Sequence, residues 1–135
     1  LIMNEAVIVL LTLSYSLILG IIVAQVILTA PVVFKVLDNE NASKFLRAIF
    51  PRYYLLLFLI CLVASLISYL WFSAVDTWIA LTASMLAFIG FIIIPVTNSA
   101  RDRGWNKLFK ILHNISVLNT IILFIIAVAQ LVRIS

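Results

Sequence analysis

The chain has 135 residues, of which 66% are hydrophobic and 10% charged, with a mean hydropathy of +1.30. A soluble globular domain carries about 25% charged residues, so that class is excluded and an integral membrane protein is indicated. The net charge of +4 does not require a nucleic acid partner, because topology and anionic lipid headgroups account for a modest basic excess.

Four apolar blocks stand out: Val7–Ala30, Tyr54–Ser73, Trp78–Val96 and Leu108–Leu131. Each is close to the ~20 residues that a helix needs to cross hydrocarbon. None alternates as a barrel strand does, and lipid offers no partner to a free backbone group, so each block is predicted as a helix. The expected fold class is an all-α membrane protein, an antiparallel four-transmembrane-helix bundle. The spans use up nearly the whole chain, so residues 1–135 are expected to form a single domain. Short connections make sequential helices neighbours.

The first block has no basic stretch before it and no small-residue cleavage site after it, so it is not expected to be a cleaved signal peptide. Within it, Ser16, Gly20 and Ala24 form a small-residue ridge that suits close helix packing. Gln25 and Thr29 are the next polar positions on the way to Pro31, where the helix is expected to bend or end.

Residues Asp38 to Ser43 read as a loop with helix-start chemistry, with Asn39, Asn41 and Ser43 as possible caps. Lys44 to Phe50 then places Phe45, Ile49 and Phe50 on one side and Lys44 and Arg47 on the other. That pattern predicts a short interfacial amphipathic helix between helices 1 and 2. Pro51 suits the first turn of the second span. Arg52, Tyr53 and Tyr54 read as an interface group, a snorkelling cation and two rings with hydroxyls at headgroup level. Cys61, alone in the second span, reads as a packing residue.

At the far end Tyr69, Trp71 and Trp78 form an aromatic belt, and Asp76 is expected to cap the third helix. Ala83, Ala87 and Gly90 make a second small-residue strip in the third span. The run from Pro95 to Trp105 concentrates polar residues. Gly104 suits a left-handed helix end, and Asp102 is expected to pair with a flanking arginine, Arg101 or Arg103.

His113, Ser116 and Thr120 share one face of the fourth helix by their spacing. Antiparallel packing brings Gln25, Thr29, Asn98 and His113 to similar depth. These six residues are the candidate ligand-binding site, with His113 expected to face the bundle interior, because an ionisable group within a span is costly unless it is used. Arg52, Tyr53, Tyr54 and Arg101 are the interface residues at the same level. No thiol or carboxylate cluster suggests a metal. Haem is left open only as a lone axial imidazole on His113, since Met3 and Met85 are expected toward the opposite side.

Basic residues set the orientation. Lys35, Lys44, Arg47 and Arg52 lie in the first connection and Arg101, Arg103, Lys107 and Lys110 in the third, against Arg133 alone on the other side. By the positive-inside rule both basic connections are cytoplasmic and both termini face outward.

Two runs carry a resemblance. Ala30-Pro31-Val32-Val33-Phe34-Lys35-Val36-Leu37 with Ala48-Ile49-Phe50-Pro51-Arg52-Tyr53-Tyr54 resembles a family of small four-helix membrane proteins whose animal member is transmembrane protein 205. Ile94-Pro95-Val96-Thr97-Asn98 with Arg101-Asp102, then Phe109 and Leu112-His113-Asn114-Ile115-Ser116-Val117-Leu118-Asn119, resembles the second half of that pattern. The resemblance implies four helices and a membrane domain of undefined biochemistry, with no active site to carry over.

Two functions fit. One is a small binding or transport module, homo-oligomeric, with a polar pocket in the cytoplasmic half of the bundle. The other is a structural or assembly subunit of a larger membrane complex, for which the two small-residue ridges speak. An enzyme is disfavoured, because no paired carboxylates, Gly-x-Ser-x-Gly or His-x-x-Glu-His motif is present.

Overall fold

The computed structural model describes the backbone of residues 2–135 and the side chains from Asn4 onward; the side chain of Met3 lies outside that range. The first membrane helix consists of α1 (Ile2–Val23), a π-helical turn (Ala24–Thr29) and α2 (Ala30–Val36), joined without a break. Three further helices follow: α3 (Asn39–Trp71), α4 (Ala74–Asp102) and α5 (Asn106–Ile134). All four membrane helices are long and apolar enough to span a bilayer, and the described residues contain no strand. The protein is an all-α, multi-pass membrane bundle.

At 1.5 Å per residue a 33-residue helix is about 50 Å long, well beyond the roughly 30 Å of hydrocarbon. The helices therefore extend past the apolar blocks. Lys44–Phe50 is helical but is continuous with the second membrane helix, not a separate element. The physical reason is that Pro51 withdraws one donor, leaving the Arg47 carbonyl without its helical partner, while the turns on either side persist. Arg52 then donates from Nη1 to the Ala48 carbonyl at 2.5 Å.

Pro31 likewise does not end the first helix. The turn before it widens to i→i+5 bonding, with the Ala30 N–H donating to the Gln25 carbonyl. Such a π turn accommodates a local disruption at the cost of register, and it changes which faces the following residues present.

Helix ends follow known chemistry at positions other than those expected. Asp38, not Asn39, caps α3, accepting from the Asn41 N–H at 2.8 Å. Ser73, not Asp76, caps α4, accepting from the Asp76 N–H at 3.1 Å. Gly104 has φ of +73°, and the Trp105 N–H donates to the Ala100 carbonyl at 2.9 Å, closing a Schellman turn.

The helices form a closed ring: α1 packs on α3 and α5, and α4 packs on α3 and α5. The core contains Leu11, Tyr15, Ile18, Leu57, Cys61, Ala80, Ala87 and Leu123. Outward faces of all four helices expose large apolar side chains such as Leu17, Leu66, Met85 and Ile125, as lipid contact requires. A second, small cluster of Val33, Ala42 and Leu46 holds α2 to α3 at the end bearing the basic connections.

The small-residue segments divide in use. Ala83, Ala87 and Gly90 are buried inside the bundle, whereas Ser16 and Gly20 face outward with Ala24 half-buried beside them. A Cβ at Gly90 would lie 2.3, 2.6 and 2.8 Å from the Tyr54 ring atoms Cε1, Cδ1 and Cζ. Ordinarily Gly→Ala in a helix gains up to ~1 kcal/mol of propensity. Here overpacking against a buried ring costs about 1–3 kcal/mol and wins. Gly90→Ala is expected to lower the melting temperature in detergent; a raised one would show that the Tyr54 ring can move aside freely.

Candidate functional site

A cavity of about 270 Å³ opens among the four helices at the basic end. Its apolar wall includes Phe34 from α2, Phe50 and Tyr54 from α3 and Ile94 from α4. Its polar wall includes Thr97, Asn98 and Arg101 from α4, and His113 and Ser116 from α5. The π turn and α2 create the opening, since it is α1 that packs on α5 while α2 packs on α3.

Of the six candidate residues, Asn98, His113 and Ser116 line this cavity together. Thr120 lies one turn beyond, with its Oγ1 3.3 Å from the Tyr54 hydroxyl, which also donates to the Ser116 carbonyl at 3.5 Å. Gln25 and Thr29 are not among the lining residues. Gln25 is buried, with its Nε2 unpartnered among the described residues, and Thr29 is half-buried. The expected meeting of Gln25 or Thr29 with His113 rested on similar depth, and depth does not fix which way a residue faces where a π turn shifts the phase of the helix.

His113 is exposed, not enclosed in the bundle interior. Its ring stacks on Phe109 with centroids 5.9 Å apart and planes 17° apart, and it makes no hydrogen bond among the described residues. No methionine or cysteine borders the cavity with it, so the lining offers no sulfur as a second axial ligand. No group of three or more metal-ligating side chains occurs among the described residues.

Two of the expected interface residues are corrected. Tyr53 and Tyr54 are 6% and 2% exposed, so neither hydroxyl serves as a headgroup anchor. Their rings pack edge to face 4.9 Å apart inside the bundle. The adjoining α3 turns carry the helix further, so these tyrosines fall below the surface. Arg52 is exposed, and Arg101 sits over the Phe109 ring at 5.8 Å.

Asp102 is also corrected. It takes both Arg47 guanidinium nitrogens in a bidentate pair between the first and third connections, not a neighbouring arginine. Arg103 instead stacks on Trp105, 4.9 Å from the ring centre. This leaves Arg101 as a cavity cation with no acidic partner among the described residues.

The opposite end holds a polar cluster that the sequence did not disclose. Asp76, 1% exposed, accepts at Oδ1 from Gln130 Nε2 at 3.0 Å and from Arg133 Nε at 2.9 Å. Its Oδ2 accepts from the Ser73 hydroxyl. Gln130 Nε2 also donates to the Tyr15 hydroxyl at 3.4 Å, so α1, α4 and α5 meet at one carboxylate. Arg133 is the one basic residue that the sequence assigns to that end, with Glu5 and Asp76 as its acids, and that scarcity was the available signal.

Residues 13–106, more than half of the chain, match the family model described as Domain of unknown function (DUF4149). The chain belongs to this family. The match covers Asn98, Arg101 and the α3 wall of the cavity, and it ends before His113 and Ser116. No curated protein and no solved structure matches the chain.

The acid end can be tested by charge removal. Arg133→Gln leaves a buried carboxylate without its cation, which should cost about 1.5–3 kcal/mol, the value of a hydrogen bond to a charged group. Adding Asp76→Asn should recover part of that loss, because the neutral side chain no longer needs the cation. Thermal unfolding of the two single variants and the double variant measures the coupling; strict additivity would show that the pair is only adventitious.

Proposed function

We propose that the protein is a small integral membrane binding or transport module whose ligand occupies the cavity at the basic end. The observation that supports this is the contrast between the two ends. At the acid end the oxygens of the buried carboxylate are engaged within the protein. At the basic end Arg101, Asn98 and His113 face a common cavity, and their side chains make no hydrogen bond among the described residues. Asn98 is half-buried, and a polar donor so placed in a membrane is costly unless a partner is available; a ligand seated there would be such a partner, and would also reach the exposed Arg101 and His113.

The reading carries an orientation. Eight basic residues flank the cavity end, so that end faces the cytoplasm and both termini of the chain lie outside. Residues 1–135 act as one membrane domain. The runs around Pro31, Pro51 and Asn98 support a kinship with the transmembrane protein 205-like group. Four helices barely enclose a path, so a transport role requires self-association.

A second reading, a structural or assembly subunit of a larger membrane complex, is favoured by the outward position of Ser16 and Gly20. A Cβ added at Gly20 would meet nothing within 4 Å, so this ridge is not needed by the protein's own packing.

Purification in mild detergent followed by native mass and absorption spectra separates the two. A binding module should retain an adduct that His113→Ala loses while staying folded. A structural subunit should carry none, and its His113→Ala form should be unchanged in mass. The orientation is checked with an impermeant thiol reagent on intact cells, using single cysteines in place of exposed Asn41 and Val75, with buried Cys61 as the unreactive background. Val75→Cys should label from outside and Asn41→Cys should not; the reverse pattern would overturn the orientation.

A further inference from the structure

We propose that the cavity takes an anionic amphiphile, a phosphate or carboxylate head on an apolar chain; the inference rests on the reading of this cavity as a binding site. The head would sit on Arg101 with Asn98 and His113, and the chain would lie along Phe34, Phe50 and Ile94.

Charge supports the head. No aspartate or glutamate lines the cavity, so a cationic ligand would find no counterion. Of the two arginines present, Arg47 is already neutralised by Asp102, whereas Arg101 has no acidic partner among the described residues. A guanidinium at the lipid–water boundary with a free fork is suited to a carboxylate or phosphate, which it binds through paired, charge-assisted hydrogen bonds. The Asn98 amide and the His113 ring add donors at the same wall.

The opposite wall supports the chain. Phe34, Phe50 and Ile94 offer no polar group, so a small free anion would leave that side of the cavity unfilled. At about 270 Å³ the space falls just below the usual range for a whole drug-sized ligand, roughly 300–1,000 Å³. It holds a head and the first carbons of a chain. The remainder must leave sideways, and the exit lies between α2 and α5, where Phe34 is 62% exposed and packing ties α2 to α3 instead.

The arrangement also predicts an opposite effect at a neighbouring residue. Asp102 holds Arg47 away from duty as a second cation. Replacing it by asparagine frees that guanidinium at the cavity wall and removes a nearby negative charge, so anion binding should tighten.

The experiment is a titration of the folded protein in neutral detergent, read by native mass spectrometry, with four probes: oleoyl lysophosphatidate, oleate, monooleoylglycerol and inorganic phosphate. The two anionic amphiphiles should bind at one per chain, at least about tenfold more tightly than either other probe. Arg101→Gln should weaken them about tenfold, Arg101→Lys should fall between Gln and wild type because it keeps the charge but loses the paired geometry, and Asp102→Asn should increase the affinity several-fold. Arg103→Gln, whose guanidinium stacks on Trp105 outside the cavity, should leave it unchanged. If Arg101→Gln does not fold, the Lys and Asp102→Asn variants carry the comparison. Equal binding of monooleoylglycerol would overturn the anionic head while leaving the binding module standing. Equal binding of inorganic phosphate would overturn the chain. Failure of every probe to bind the folded wild-type protein would overturn the binding-module reading itself.

Discussion

The carboxylate of Asp76 is the constraint on which the rest of the bundle depends. It is almost wholly buried in a membrane protein, and three helices supply its partners: Ser73 beside it on α4, Gln130 and Arg133 on α5, and through Gln130 the Tyr15 hydroxyl on α1. A buried ion pair adds little net stability over a well-packed apolar alternative, but a mispaired one is heavily penalised. Any slip of α5 by a turn, or rotation of α4, would strand the carboxylate. The acid end therefore has one permitted register, and apolar packing of Leu11, Leu57 and Leu123 continues that register inward.

At the other end no such constraint acts, and the consequence is an opening. The π turn breaks the phase of the first helix, and the last two turns of that helix follow α3 through Val33, Ala42 and Leu46. The gap is closed only along its outer edge, by the Arg47–Asp102 pair between connections. A bundle fixed at one end and separated at the other produces a cavity where its side chains are basic and aromatic. Asn119 marks the transition: its Nδ2 donates to the Leu86 carbonyl at 2.8 Å, tying α5 to α4 below the point where the helices diverge.

The four helices were legible because apolar blocks of membrane length have few alternatives, and Gly104 because a lone glycine among basic residues after a helix has a specific conformational use. The polar wall of Asn98, His113 and Ser116 was also legible, since helical spacing and antiparallel order put these residues at one depth. Gln25 and Thr29 were not, because their placement depends on backbone bonding in the π turn, which residue spacing does not reveal. Tyr53 and Tyr54 misled for a different reason. A tyrosine pair after an arginine at the start of an apolar block has the same pattern whether the helix begins there or passes through, and here α3 begins more than three turns earlier. The Asp76–Arg133 pair joins residues 57 positions apart; the scarcity of charge at that end hinted at it, and the tertiary structure supplies its geometry.

The two small-residue segments show how one local pattern acquires opposite uses. In α4 the small positions face the core, and Gly90 is small because the Tyr54 ring occupies the space a Cβ would need. In α1 the inward positions are taken by Leu11, Tyr15, Ile18 and Ile22, a run at helical spacing that fills the core with large side chains. Ser16 and Gly20 consequently fall on the outer face. There the same absence of bulk lets a neighbouring backbone come near without displacing anything from the core. Because that face lies above the π turn, a helix packed on it would restrain α1 without filling the cavity below. The outward small-residue face and the cavity thus belong to separate parts of the first membrane helix, and the π turn is the boundary between them.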